Sequence, residues 1–162
     1  MGKNFETLIL FGATGDLAHR MLFPSLYNLD KDGLLGDEFT ILGSGRTVFD
    51  DDAFRAAIDA QLQKFLPEGH YDAVAAKNFL ERVDYVALDM DADAGFTALK
   101  DKLGARADRP LGVYLSTPPS LFGPIIEGLK TAGLACRECR VALEKPIGHD
   151  LASSHEVNDI VG

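Results

Sequence analysis

Gly12-Ala13-Thr14-Gly15-Asp16-Leu17-Ala18 places two glycines, a hydroxyl and a small residue at the spacing that lets backbone N–H groups approach a phosphate. The run follows a short apolar segment, Leu8-Ile9-Leu10-Phe11, and opens a helical pattern, which is the strand-turn-helix context of a dinucleotide-binding turn. Gly12 permits the tight turn, Gly15 lets the backbone approach a pyrophosphate, and Ala18 lets the helix pack closely on the strand. Thr14 can add its hydroxyl. A glycine pair also serves a purely structural turn, so the pattern alone does not decide the matter. A nucleoside-triphosphate loop is excluded, because no Gly-Lys-Ser or Gly-Lys-Thr follows Gly12 at the needed spacing.

The end of the second strand-like run distinguishes the two nicotinamide cofactors. NAD sites place an acid there for the ribose 2′-hydroxyl, whereas NADP sites place arginine for the 2′-phosphate. Here the text reads Leu42-Gly43-Ser44-Gly45-Arg46-Thr47, with no acid, small residues and one planar guanidinium fork suited to phosphate. Arg46 is therefore expected to bind the phosphate of NADP, against the plainer reading of a solvated arginine. Ser116-Thr117-Pro118-Pro119 and Glu144-Lys145-Pro146-Ile147-Gly148 close the fourth and fifth runs, at the sheet edge where ligands bind in such folds. Lys145 is the cation of that edge and the ring of Pro146 restrains it. Asp89-Met90, after the third run, is a further candidate for the cleft wall.

Other chemistry-bearing residues read as structural. Cys136 and Cys139 form a Cys-x-x-Cys pair without the second pair a structural zinc needs, and they lie in a loop feeding a strand. Asp50-Asp51-Asp52 reads as helix caps and favourable dipole charge, and no metal site is expected. Tyr27 and Lys31 have the Tyr-x-x-x-Lys spacing of a short-chain dehydrogenase, but they sit in the first helix, far ahead of where such a pair would meet a nicotinamide.

Positioning these residues requires a regular scaffold. Short continuous apolar runs at Leu8–Phe11, Thr40–Gly43, Tyr85–Leu88, Leu111–Leu115 and Val141–Leu143 predict five strands buried on both faces, hence a parallel sheet. Helical spacing between them predicts helices over Leu17–Leu29, Asp52–Leu66, Ala73–Val83, Ala94–Leu103 and Leu121–Lys130. The fold class is α/β, a Rossmann-like doubly wound parallel sheet in three αβα layers. Pro24 inside the first helix predicts a kink or break. With 162 residues, 46% hydrophobic and 25% charged, one domain over 1–162 is expected. The formal net charge of −9 repels nucleic acid, and no apolar run is long enough to span a membrane, so the chain reads as cytoplasmic.

The run from Gly12 to Leu22 resembles the glycine loop of glucose-6-phosphate dehydrogenases. Phe23-Pro24-Ser25-Leu26-Tyr27-Asn28-Leu29, Tyr114-Leu115-Ser116-Thr117-Pro118-Pro119 and Glu144-Lys145-Pro146-Ile147-Gly148-His149-Asp150-Leu151 match in family order, and the likeness spans nearly the whole chain. The resemblance implies that Gly12, Ala13, Thr14, Gly15, Asp16 and Leu17 cradle the NADP pyrophosphate, that Arg46 takes the 2′-phosphate, and that Lys145 with Pro146 positions glucose 6-phosphate beside the nicotinamide. It implies hydride transfer from the sugar C1 to NADP, an entry into the pentose phosphate pathway of glucose metabolism, by a parent that is a homo-oligomer. His19 departs from a common lysine of the family. The family's catalytic histidine lies in an Arg-Ile-Asp-His-Tyr-Leu-Gly-Lys block that this sequence does not contain, so no catalytic residue is expected here. The last residues open a helix that stops barely formed, which predicts truncation at the C-terminal end, no second domain and negligible turnover. The alternative is a non-catalytic NADP-binding or sensing module.

Overall fold

The computed structural model describes residues 4–89, 93–135 and 138–144. Within them the chain runs β1 (Thr7–Phe11), a π-helical turn (Ala18–Leu22), α1 (Phe23–Lys31), β2 (Thr40–Gly45), α2 (Asp51–Phe65), α3 (Ala73–Leu80) and β3 (Val83–Ala87). It continues through α4 (Asp93–Leu103), a 3-10 turn (Gly104–Asp108), β4 (Leu111–Leu115), a 3-10 turn (Pro119–Leu121), α5 (Phe122–Thr131) and β5 (Arg140–Leu143). The five strands pair in parallel in the order β3-β2-β1-β4-β5, the doubly wound arrangement.

Strand alternation sends neighbouring apolar residues into different layers. Ile9, Phe11, Leu42, Val113 and Leu115 pack under α4 and α5 with Phe96, Leu99, Phe122 and Ile125. Leu10 and Ile41 face the other way, into Phe23, Tyr27, Phe54, Ile58, Leu62 and Phe79. A helix-covered apolar layer on each side is why the central strands read as unbroken apolar text.

In α2 the four-residue spacing of Phe54, Ile58 and Leu62 puts all three on the sheet-facing stripe, where they are fully buried. Asp50 caps the helix by accepting from Ala53 N at 2.7 Å. Asp51 accepts from Lys102 Nζ at 2.6 Å and from Tyr85 N at 2.8 Å, tying the start of α2 to α4 and β3. Burial pushes the Asp51 carboxyl up, but these two hydrogen bonds and the Lys102 and Arg55 charges outweigh it, and the group lies below its usual range. Asp50 is thus the expected cap, and Asp51 is in addition a tether that the sequence did not announce.

The sequence expectation and the structure part at two places. The third helix ends at Leu80, short of Val83, because the Arg82 carbonyl already accepts from Ile41 N and its guanidinium donates to the carbonyls of Gly36, Asp37 and Phe39. That chain segment is therefore committed to the sheet, and β3 opens at Val83 rather than Tyr85. The expectation of five strands buried on both faces holds for the central three only. β3 and β5 are the sheet edges, with half-exposed residues and, in β5, the exposed Arg140 and Ala142. Asp84 is accommodated on the β3 edge by Arg55 at 3.0 Å and Arg106 at 3.2 Å. At Pro24 the expected break in the first helix is present. The proline lacks the N–H that would continue the α pattern, and the turn before it widens so that Phe23 N donates to Ala18 O. α1 then starts with proline in its first turn, where no donor is needed.

The first-helix pair Tyr27 and Lys31 is structural. Tyr27 is fully buried, its hydroxyl donates to His70 O and accepts from Asp72 N, and Lys31 Nζ donates to the same His70 carbonyl. Among the described residues, no helix is long and apolar enough to cross a membrane.

Tyr85 links core and loop. Its ring stacks on Phe54 with centroids 4.3 Å apart, and its hydroxyl donates to Thr47 O at 2.6 Å, which fixes the segment after β2. Burial pushes the Tyr85 hydroxyl up to about 12 from its usual 10. The folded chain holds this proton more tightly than the unfolded chain, so the contribution is complete below pH 10 and is lost as pH rises toward 12. Tyr114, also raised to about 12, adds to the same window. Urea melts at increasing alkaline pH should show this decline, and Tyr85→Phe should reduce its steepness while lowering neutral-pH stability by about 1 kcal/mol.

Candidate functional site

The connections that leave β1 and β4 pass to opposite sides of the sheet, so the loops at their carboxyl ends separate and a crevice opens between them. The crevice has a volume of about 390 Å³, and the loops after β1, β2 and β4 line it with Gly12, Thr14, Gly15, Gly45, Arg46 and Thr117. Leu88, Leu121 and Ile125 supply an apolar wall.

Gly12 is where the two central strands leave no room for a side chain. Its φ is 78°, and a Cβ built there would lie 2.0 Å from the Ser116 carbonyl oxygen. The N–H groups of Gly12 and Ala13 both donate to Ser44 O at 3.0 Å, and Ser116 N donates to Phe11 O at 3.0 Å. The turn is thus clamped to β2 on one side and to the end of β4 on the other. Gly15 N closes the turn onto Gly12 O, while the amides of Thr14, Asp16 and Leu17 find no backbone acceptor among the described residues. Amides left open at a helix start are what an anion takes up.

The predicted site residues divide accordingly. Gly12, Thr14 and Gly15 line the crevice; Ala13 is fully buried beneath it against Gly43; Asp16 and Leu17 stand outside the lining, Asp16 exposed and paired with Arg20 at 3.5 Å. Arg46 is exposed at the rim next to Gly45 and has no ion-pair partner among the described residues. Leu88 contributes to the wall on the β3 side; Asp89 follows it, its carbonyl against Gly95. Met90, Lys145 and Pro146, like Cys136, lie outside the described residues. Cys139 precedes β5, and its thiol donates to Leu134 O.

Sequence reasoning passed over Ser44 as merely small, and it named Ser116 and Thr117 only as a strand end. Ser44 Oγ and Thr117 Oγ1 are buried yet have no hydrogen-bond partner among the described residues. A hydroxyl at the carboxyl end of a buried strand was the available signal for Ser44, since buried polar groups need partners. A close-approach glycine, open amides and two orphaned hydroxyls around one crevice fit a nucleotide with its ribose and phosphate oxygens. At the β5 end of the sheet Tyr114 Oη donates to Glu144 Oε1. Burial, then this bond and the carboxylate charge, raise the tyrosine to about 12.

His19 sits in the turn after the loop, its ring 6.2 Å from that of Phe23. Burial lowers its pKa below the usual 6.5, with the Asp16 charge and a hydrogen bond to the Thr14 backbone acting the other way. At neutral pH it is therefore an uncharged group and not a stand-in for a lysine ammonium.

The family model described as glucose-6-phosphate dehydrogenase, NAD binding domain, matches residues 9–162. The glucose-6-phosphate 1-dehydrogenase of Zymomonas mobilis is 45% identical over 161 residues, which cover 99% of this chain and 33% of that protein. A crystal structure of glucose-6-phosphate 1-dehydrogenase from Mycobacterium avium superposes with a TM-score of 0.88 at 32% identity, over 98% of this chain and 33% of that one. A glucose-6-phosphate dehydrogenase in complex with its substrate glucose-6-phosphate superposes at 0.82 with 29% identity, over 99% and 35%. The chain spans about a third of the length of the curated relatives it matches.

Gly12→Ala must push its methyl group against the Ser116 carbonyl at a positive φ. Chemical denaturation should show a loss of at least about 2 kcal/mol. His19 gives a second test. Because the unfolded chain takes up this proton more readily than the folded one, stability is complete above pH 6.5 and falls as pH drops below it. In thermal melts through mildly acidic buffers, His19→Gln should flatten that part of the profile.

Proposed function

This chain belongs to the glucose-6-phosphate dehydrogenase family as its NAD-binding domain, and from that premise we propose that the crevice over β1 and β4 binds NADP for the oxidation of glucose 6-phosphate. The observation that carries the reading is the set of groups converging there: a Gly12 backbone with no room for a side chain, open amides at the helix start, and an unpaired guanidinium at the end of β2.

Arg46 supports the choice of NADP over NAD. It follows β2 by one residue, no carboxylate lines the crevice among the described residues, and a 2′-phosphate offers its guanidinium a bidentate partner. NADP, when bound, supplies the acceptor for the hydride leaving the sugar C1. The chain's own contribution is geometric and electrostatic. Thr14 and Gly15 hold the pyrophosphate by amide and hydroxyl, and Leu121 and Ile125 exclude water from one wall. Lys145 is assigned to the sugar phosphate side, beside the nicotinamide.

No imidazole lines the described crevice either, so the proton of the sugar hydroxyl has no acceptor among those residues. The reading therefore assigns this chain cofactor binding, and a chain incubated with NADP and glucose 6-phosphate should show negligible NADPH formation.

Isothermal calorimetry with NADP and NAD, on the parent chain and Arg46→Ala, tests the assignment. NADP should bind more tightly than NAD, and Arg46→Ala should weaken NADP by about tenfold to a hundredfold while changing NAD little. Equal binding of the two cofactors by the parent chain would remove Arg46 from the site.

A further inference from the structure

Ser44 and Thr117 stand on opposite sides of Gly12. Ser44 is the penultimate residue of β2, 1% exposed, and pairs in register with Phe11 of β1. Its backbone carbonyl is engaged by Gly12 and Ala13, but its hydroxyl has no partner among the described residues. Thr117 follows β4 by two residues, and its Cγ2 lies 3.3 Å from where a Gly12 side chain would begin. The Ser116 N–H bond to Phe11 O on one side and the fixed φ of Pro118 on the other hold it in place. Its Oγ1 is likewise buried and without a partner among the described residues. A buried hydroxyl left without a partner costs the folded chain its lost hydration, and nothing in the described residues offsets that.

We propose that these two hydroxyls are the specificity anchors of the bound dinucleotide, Ser44 for its adenosine half and Thr117 for the ribose of its nicotinamide half. The proposal rests on the dinucleotide reading above. Arg46 places the 2′-phosphate, and with it the adenosine, on the β2 side where Ser44 lies. A dinucleotide that crosses Gly12 at its pyrophosphate then carries its second ribose over the end of β4, and the hydroxyl within reach there is that of Thr117. A ribose hydroxyl can both donate and accept, so it satisfies either orphan whatever its rotor position. Discrimination follows, because a ligand without that ribose leaves the orphan buried and unpaired.

Two measurements on the chain test this, using Thr117→Val, which keeps the side-chain shape, and Ser44→Ala. The first is the melting temperature without ligand. Both variants should melt at or above the parent temperature, since each removes an unpaired buried hydroxyl; a clear drop in either would show that its hydroxyl has a partner within the protein and would overturn its assignment. The second is calorimetry with NADP and, separately, adenosine 2′,5′-bisphosphate, which lacks the nicotinamide half. Thr117→Val should weaken NADP about tenfold and leave the bisphosphate unchanged, whereas Ser44→Ala should weaken both by about that factor. Equal weakening of the two ligands by Thr117→Val, or unchanged NADP binding, sinks the division of labour. A parent chain that binds neither ligand overturns the dinucleotide reading itself, an outcome distinct from variants that match a binding parent.

Discussion

Everything at the carboxyl edge depends on one close approach, the backbone of Gly12 against the Ser116 carbonyl. Two parallel strands side by side in the sheet normally diverge once their loops begin, and here the contact persists one residue further because the first of those residues has no side chain. The Ser44 carbonyl completes the clamp by accepting two consecutive amides of the same turn. With three strand ends pulled onto one glycine, the loops cannot collapse into the crevice between them, and the helix after β1 starts where its open amides face that crevice. The functional groups are thus held by backbone hydrogen bonds, which specify position more tightly than flexible side chains do.

Behind this edge, the two apolar layers set the sheet's rigidity and the charged groups set its borders. Phe54 shows how the layers reach the site: it touches Phe23, Phe49 and Tyr85, and Tyr85 in turn holds Thr47, one residue beyond Arg46. Burying such a ring contributes about 1.5–3 kcal/mol, and a cluster of four makes the loop after β2 an extension of the core rather than a free segment. The Asp16–Arg20 pair beside the turn is exposed and the ion pairs at the β3 edge and the start of α2 are partly exposed, which keeps each of them modest.

Much of this was legible in the residues because the central strands and the glycine turn follow simple rules: continuous apolar text for strands covered on both faces, and glycines where no side chain fits. The parallel sheet, the turn at Gly12 and the placing of Thr14 and Arg46 at the crevice came from those rules. What the sequence concealed depends on tertiary partners. Val83 carries no mark that distinguishes the end of a helix from the start of a strand; the distinction lies in Ile41 and in the carbonyls of the 36–39 loop that Arg82 reaches. The edges were equally hidden, since the neighbour that β3 and β5 lack is a property of the whole sheet. Asp84 and Arg140 are, in hindsight, the local traces of it. Ser44 was overlooked for a similar reason: its importance is that no described residue answers its hydroxyl, and a sequence does not show missing partners.

The π-helical turn at Ala18–Leu22 has a consequence for how this chain can change over time. One extra residue within a helical turn rotates everything after it by about 100° relative to everything before it. The first turn, with the open amides of Asp16 and Leu17, is therefore out of phase with the stripe formed by Phe23 and Tyr27, and the two obey separate periodicities. Substitutions that reshape the first turn around a different anion leave the register of the core untouched, and repacking of the core leaves the first turn untouched. The widened turn works as a phase joint, and Pro24, which forces it, keeps one side adaptable while the other stays fixed.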